Sequence, residues 1–167
     1  MWKRFNPWRS WRNSGLLLTF FLFSHIAQAA TLDFTTQSWN RFVQQNKAAI
    51  VVFTSTDCSH CPAVVEALHQ QLQSGKQGHR VPLHLVVMDG ADEPEALQHG
   101  HYSLADQLWV FQGNSAALQY SVNTKWRGIT PYIALVSQQQ AEFILGKPDQ
   151  ARLREWLEKI KSTYPAK

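Results

Sequence analysis

The chain has 167 residues, enough for one domain with a real core, and its 44% apolar and 17% charged residues argue against a disordered polymer. Its formal charge of +4 does not describe a nucleic-acid binder, because Lys3, Arg4, Arg9 and Arg12 carry it and no acidic residue precedes Asp33. What remains holds 12 basic against 12 acidic residues, a neutral body without a basic footprint.

Those early charges belong to an address. A basic stretch, Met1 to Ser14, precedes the apolar run that starts at Gly15, and Ala27-Gln28-Ala29 follows as a small-x-small site. This is the three-part pattern of a secretory signal peptide, so residues 1–29 are expected to be removed and 30–167 to form the mature domain. The run is about 12 residues, against the roughly 20 of a spanning helix, which disfavours the alternative of an uncleaved anchor. The expected location is periplasmic or otherwise extracytoplasmic, where thiols can stay oxidised.

In the body, "TLDFT" (Thr31 to Thr35) predicts a short strand, and "TQSWNRFVQQ" a helix with Trp39, Phe42 and Val43 on one face. Ala48 to Phe53 is apolar without alternation and rich in β-branched residues, the signature of a strand covered on both faces. A helix with Val64, Val65, Leu68 and Leu72 on one side follows, then a loop over Ser74 to Arg80 and a buried strand over Leu83 to Met88. Strand, helix, strand at these lengths predicts a right-handed parallel βαβ unit.

The segment Asp89 to Gly113 is less regular: "DEPEAL" suggests a short helix and "DQLWVF" (Asp106 to Phe111) an extra strand. "NSAALQYSV" reads as a helix capped by Asn114 or Ser115. "PYIALV" and "AEFIL" are strands, Gly146 interrupts, and a last helix from Asp149 carries Leu153, Trp156, Leu157 and Ile160. The expectation is one α/β domain.

Between the first buried strand and its helix stands "TDCSHC", with the two cysteines of the chain, Cys58 and Cys61. A structural bridge gains stability with the length of loop it closes, and two intervening residues close almost nothing. A metal site would need further ligands; "HGH" (His99, Gly100, His101) offers a pair that nothing in the sequence brings near the cysteines. Thiol–disulfide exchange asks only for one exposed thiolate and a second thiol one turn away. With Cys58 at a helix N-terminus, unpaired N–H groups favour its anion, His60 adds positive charge, and Pro62 is tolerated in the first turn. Redox exchange is therefore favoured over metal binding.

From Thr31 to Ile160 these residues resemble the thioredoxin superfamily. "LDFTTQSWNRFVQ" is similar to its first strand and helix, "AAIVVFTSTDCSHC" to its central strand and active-site cysteines, and "LQYSVNTKWRGITPYIALV" to its cis-proline region. The resemblance implies a thioredoxin fold: a central mixed, mostly parallel sheet flanked by helices, here with a small insertion between about 89 and 113. It implies that Cys58 is the nucleophile, Cys61 the resolving thiol, and Thr130 with cis-Pro131 the substrate-binding edge. It further implies no cofactor beyond the Cys58–Cys61 disulfide, no metal, a monomer, and as partners protein thiols of exported proteins with an unidentified redox donor or acceptor.

Within the superfamily the hints diverge. The 89–113 segment resembles the insertion of exported TlpA/ResA-like proteins, Cys-x-His-Cys resembles Dsb-type oxidants and disulfide isomerases, and threonine before the cis-proline resembles the isomerising branch. The direction of electron flow stays open. Two departures also stand out: Asp57 replaces the aromatic that precedes the first cysteine of thioredoxins, and Val52 replaces their buried acid. Trp109 and Trp126 are expected in the core rather than at a contact surface. A copper-binding metallochaperone using both cysteines and a histidine, an apocytochrome c thiol reductase, and a non-catalytic binding module are the alternatives.

Overall fold

The computed structural model describes residues 31–74 and 81–164. The expected signal segment lies outside the described residues, as does all but Ser74 of the expected Ser74–Arg80 loop. Elements follow in the order β1 (Leu32–Phe34), α1 (Ser38–Gln45), β2 (Ala48–Thr54), α2 (Cys61–Gln73), β3 (Leu83–Val87), β4 (Gln107–Phe111), α3 (Ser115–Val122), β5 (Tyr132–Ser137), β6 (Gln140–Leu145) and α4 (Gln150–Thr163). The strands form one six-stranded sheet in the order β1-β4-β3-β2-β5-β6. β1, β4, β3 and β2 are mutually parallel, whereas β5 runs antiparallel to both β2 and β6.

The apolar run of β2 has the predicted cause. Ile50 and Val52 point into a core shared with Val64, Val65 and Leu68 of α2 and Leu153, Trp156 and Ile160 of α4. Ala49, Val51 and Phe53 point the other way, toward Trp39 and Phe42 of α1 and Leu118 and Val122 of α3. A strand buried on both faces cannot alternate polar with apolar residues, so β2 is the axis of a three-layer structure. Helix starts follow local chemistry: Asn114 caps α3 by accepting from Ala117 N–H, and Asp149 caps α4 by accepting from Ala151 and Arg152 N–H.

Two expectations need correction. Helix α2 begins at Cys61, not at Cys58, because the chain leaves β2 through two successive turns before winding up. The short helix expected at "DEPEAL" is not an α-helix but a 3₁₀ turn, Ala96–Gln98, after Pro94, which lacks an N–H; a second, Gly100–Leu104, opens on Gly100 at φ +63°. The strand expected over Asp106 to Phe111 is realised as β4, wedged between β3 and β1.

The sheet also holds a histidine in an apolar setting. His84 of β3 lies edge-on to Phe42, with ring centroids 4.9 Å apart, and neither ring nitrogen has a hydrogen-bond partner. Burial pushes its pKa below 6.5, partly offset by the nearby Asp106 carboxylate. The folded chain therefore favours neutral His84, and the unfolded chain binds the proton more readily below pH about 6.5. Stability present above that pH is lost as pH falls toward the depressed folded pKa. His84→Leu is expected to shallow the acid limb of the stability curve by up to one proton's worth, read from urea midpoints at successive pH values. An unchanged slope would refute the assignment.

Candidate active site

The site is assembled at the carboxyl end of β2. Cys58 N–H donates to Ser55 O at 3.2 Å, and Cys61 N–H donates to Cys58 O at 3.2 Å. These two turns place Cys58 ahead of the helix and Cys61 as its first residue, with His60 at the cap position and Pro62 in the first turn. Cys58 and Cys61 form a disulfide, with Cα atoms 5.4 Å apart. Their surroundings differ. Cys61 is fully buried, whereas Cys58 is half-buried.

The turn is tethered from two directions. The Asp89 carboxylate, just beyond β3, accepts the Thr56 N–H on both oxygens (2.9 and 3.0 Å) and the Thr56 hydroxyl at 2.6 Å. On the other side, the Ser55 hydroxyl lies 3.4 Å from that of Thr130. Asp57 does not cap the helix; its carboxylate accepts the Ser55 hydroxyl at 2.6 Å. His60 caps without a side-chain hydrogen bond and stands exposed.

The Thr130–Pro131 peptide bond is cis. The loop leading to it is held by Trp126, whose indole N–H donates to Ile129 O at 3.0 Å and whose ring stacks on Tyr132 with centroids 4.8 Å apart. Gly128 in this loop has φ +77°, a backbone conformation that favours glycine, while a Cβ there would meet only the movable end of the Gln119 side chain. Beyond Pro131, whose carbonyl accepts Gly146 N–H at 2.8 Å, β6 ends at Leu145. A groove of about 360 Å³ runs alongside, lined by His60, Ala63, Ile129, Thr130, Pro131 and Leu145. Ile129 and Leu145 expose 58% and 57% of their surface there, unusual for large apolar side chains without a partner.

Of the residues singled out in the sequence, Cys58, Cys61, His60, Thr130 and Pro131 thus come together at one end of the sheet. His99 is exposed, and His101 lies tilted against Tyr102 with its Nε2 sealed and partnerless. Burial lowers the His101 pKa, with Glu66 opposing. Among the described residues no group of three or more His, Cys, Asp or Glu is arranged to hold a metal. Trp126 is buried in the core as expected, whereas Trp109 is only partly buried and packs edge-on against Phe34 and Phe42 at the margin of the core. Val52 is fully buried in the apolar layer of α2.

Sequence reading missed Asp89, Thr56 and Ser55, which hold the turn. An acid two residues past a strand looks like any loop acid, and only the β2–β3 pairing brings it level with Thr56. Tyr102 marks the same acidic neighbourhood: burial raises its phenol pKa, and the carboxylates of Asp89, Glu93 and Asp57 raise it further.

No protein-family profile matches the chain, and no curated protein matches it. Solved structures do. A thioredoxin candidate from Neisseria meningitidis, solved in solution, is 14% identical with a TM-score of 0.54, over 75% of this chain and 82% of that one. The thioredoxin-related protein from Neisseria meningitidis serogroup B is also 14% identical, with a TM-score of 0.50 over 71% of this chain and 87% of that one. At such identities the likeness speaks for the fold, and with the sheet order and the disulfide at the end of β2 it makes this chain a thioredoxin-fold protein.

Proposed function

We propose that the chain is an exported thiol–disulfide oxidoreductase exchanging the Cys58–Cys61 disulfide with cysteines of other exported proteins. The observation that carries this is the asymmetry of the pair: a half-buried Cys58 bonded to a sealed Cys61 at the first residue of α2, with the groove of Thr130 and Pro131 reaching His60 between them. In the oxidising direction a substrate thiolate attacks Cys58 Sγ, the Cys58–Cys61 bond breaks, and Cys61 leaves as a thiolate. A second substrate thiolate then attacks its own sulfur in the mixed disulfide and expels the Cys58 thiolate. The substrate has lost two electrons and the pair has gained them; reduction runs the same steps backwards. Thr130 and Pro131 form the edge along which the substrate chain lies, and the exposed Ile129 and Leu145 favour an apolar residue beside its cysteine.

His60 is assigned to tuning Cys58. Positive charge on the imidazole favours the thiolate and with it the reduced form, making the pair more oxidising. Asp57, adjacent in sequence, opposes this, but its carboxylate is engaged by Ser55. Titration against glutathione buffers gives the reduction potential: about −120 mV marks an oxidant and about −270 mV a reductase. His60→Ala is expected to raise the Cys58 pKa and lower the potential together; if the potential stays or rises, His60 is not the tuning residue.

Export is the second part of the proposal and rests on the pattern of residues 1–29. No helix among the described residues is long and apolar enough to cross a membrane. Protein recovered from outside the cytosol is expected to begin at Ala30. A full-length, membrane-bound product would restore the anchor.

A further inference from the structure

The backbone between β2 and α2 is two turns joined at Cys58: Ser55 to Cys58, closed by Cys58 N–H to Ser55 O, and Cys58 to Cys61, closed by Cys61 N–H to Cys58 O. Cys61 is immobilised by its burial and its place in α2. Cys58 has neither anchor, so the separation of the two sulfurs depends on how firmly the first turn is held. Thr56 is the first corner residue of that turn. Parallel pairing of β2 with β3 runs through Thr54 and Val87, and Met88 N–H continues it by donating to Thr54 O at 2.9 Å. The next residue is Asp89, whose carboxylate takes both donors of Thr56, the N–H shared between its two oxygens and the hydroxyl on one of them. Bonds to a half-buried carboxylate are the stronger kind, and holding the N–H and the hydroxyl of one residue together fixes both its backbone and its rotamer.

We propose that Asp89 is a positioning residue for Cys58, acting through Thr56 to hold the active-site turn at the distance from which Cys61 can close the disulfide. The inference rests on the exchange reading of the cysteine pair but concerns a different step: the intramolecular closure, in which Cys61 thiolate attacks Cys58 Sγ of a mixed disulfide and expels the partner thiolate. Holding two groups in reacting geometry is what gives an intramolecular step its high effective concentration. Releasing the turn lowers that concentration and with it both the closure rate and the equilibrium fraction of disulfide.

The test uses the protein with Cys58 preloaded as a mixed disulfide with glutathione and follows glutathione release by Cys61. Asp89→Asn, which keeps the volume but loses one oxygen and the charge, and Thr56→Val, which loses the hydroxyl without a charge change, should each slow closure about three- to tenfold. The equilibrium constant for oxidation by glutathione should fall in step, a tenfold loss reading as a potential about 30 mV less negative. Thr56→Ser should retain the parent rate. The double variant should close no slower than Asp89→Asn alone, because both changes act on one contact. Closure at the parent rate in both single variants, even with lowered thermal stability, would reduce Asp89 to a purely structural role and overturn the proposal. Glutathione reports on the two cysteines whatever the natural substrate. A parent protein that closes normally but exchanges with no protein thiol would therefore sink the functional reading and leave the positioning role standing.

Discussion

Cys58→Ser is expected to abolish dithiol–disulfide exchange completely, whereas Cys61→Ser should retain the first half of the reaction and stall as a mixed disulfide on Cys58. The difference follows from access. An incoming thiolate must approach along the axis of the bond it breaks, and of the two cysteines only Cys58 is partly exposed, since Cys61 is fully buried. Without Cys58 no partner can be engaged, because serine is no nucleophile toward a disulfide. Without Cys61 a partner is engaged and never released internally, so substrates should be trapped on the protein and freed by reductant. Brief alkylation of the reduced parent protein checks the same asymmetry. Cys58 should label first, and an opening costing about 2.8 kcal/mol would slow labelling of Cys61 about a hundredfold. Equal labelling of both thiols, or trapping by Cys58→Ser instead of Cys61→Ser, would reverse the assigned roles.

How much of this was legible in the sequence depends on whether a feature is local. Doubly buried β2 announces itself because each of its residues meets a core, and no neighbour's identity is needed to see it. The cysteine pair, Pro62 in the first turn and the Thr130–Pro131 step are likewise carried by a few adjacent residues. The start of α2 was read three residues early for a physical reason: spacing sets the face of a helix but not its first residue, and here the cap residue His60 makes no side-chain bond to signal the boundary. The Asp89–Thr56 contact was invisible because it joins residues 33 apart, placed side by side only by the register of β2 on β3. The exposed Ile129 and Leu145 were missed similarly. Leu145 ends an apolar strand and looks like core until the sheet order makes β6 an edge, and Ile129 is a lone apolar residue in a loop whose exposure no local pattern reveals.

That dependence of the site on the sheet makes Phe53→Ala the second large effect expected. Phe53 is fully buried, one residue before the end of β2, and its ring meets four others: Phe34 and Trp39 at 5.9 and 5.6 Å, Trp126 and Tyr132 at 5.0 and 6.3 Å between centroids. Truncation to alanine removes a large apolar group and leaves a cavity that β1, α1, β5 and the Trp126 loop cannot all collapse into, a loss of about 3–5 kcal/mol. For a domain of this size that corresponds to a thermal midpoint lower by roughly 10–20 °C. The consequence should reach the cysteines. Trp126 and Tyr132, which lose the Phe53 ring, are the residues that hold the loop entering Thr130–Pro131, and Phe53 itself precedes the Ser55 turn by two positions. At temperatures where the variant is still folded, exchange with protein thiols should therefore weaken more than closure with glutathione, which does not use the groove. Phe53→Leu, keeping most of the volume, should cost less than half as much stability. If the alanine variant lost under about 1 kcal/mol, the aromatic cluster would not be what holds this end of the sheet.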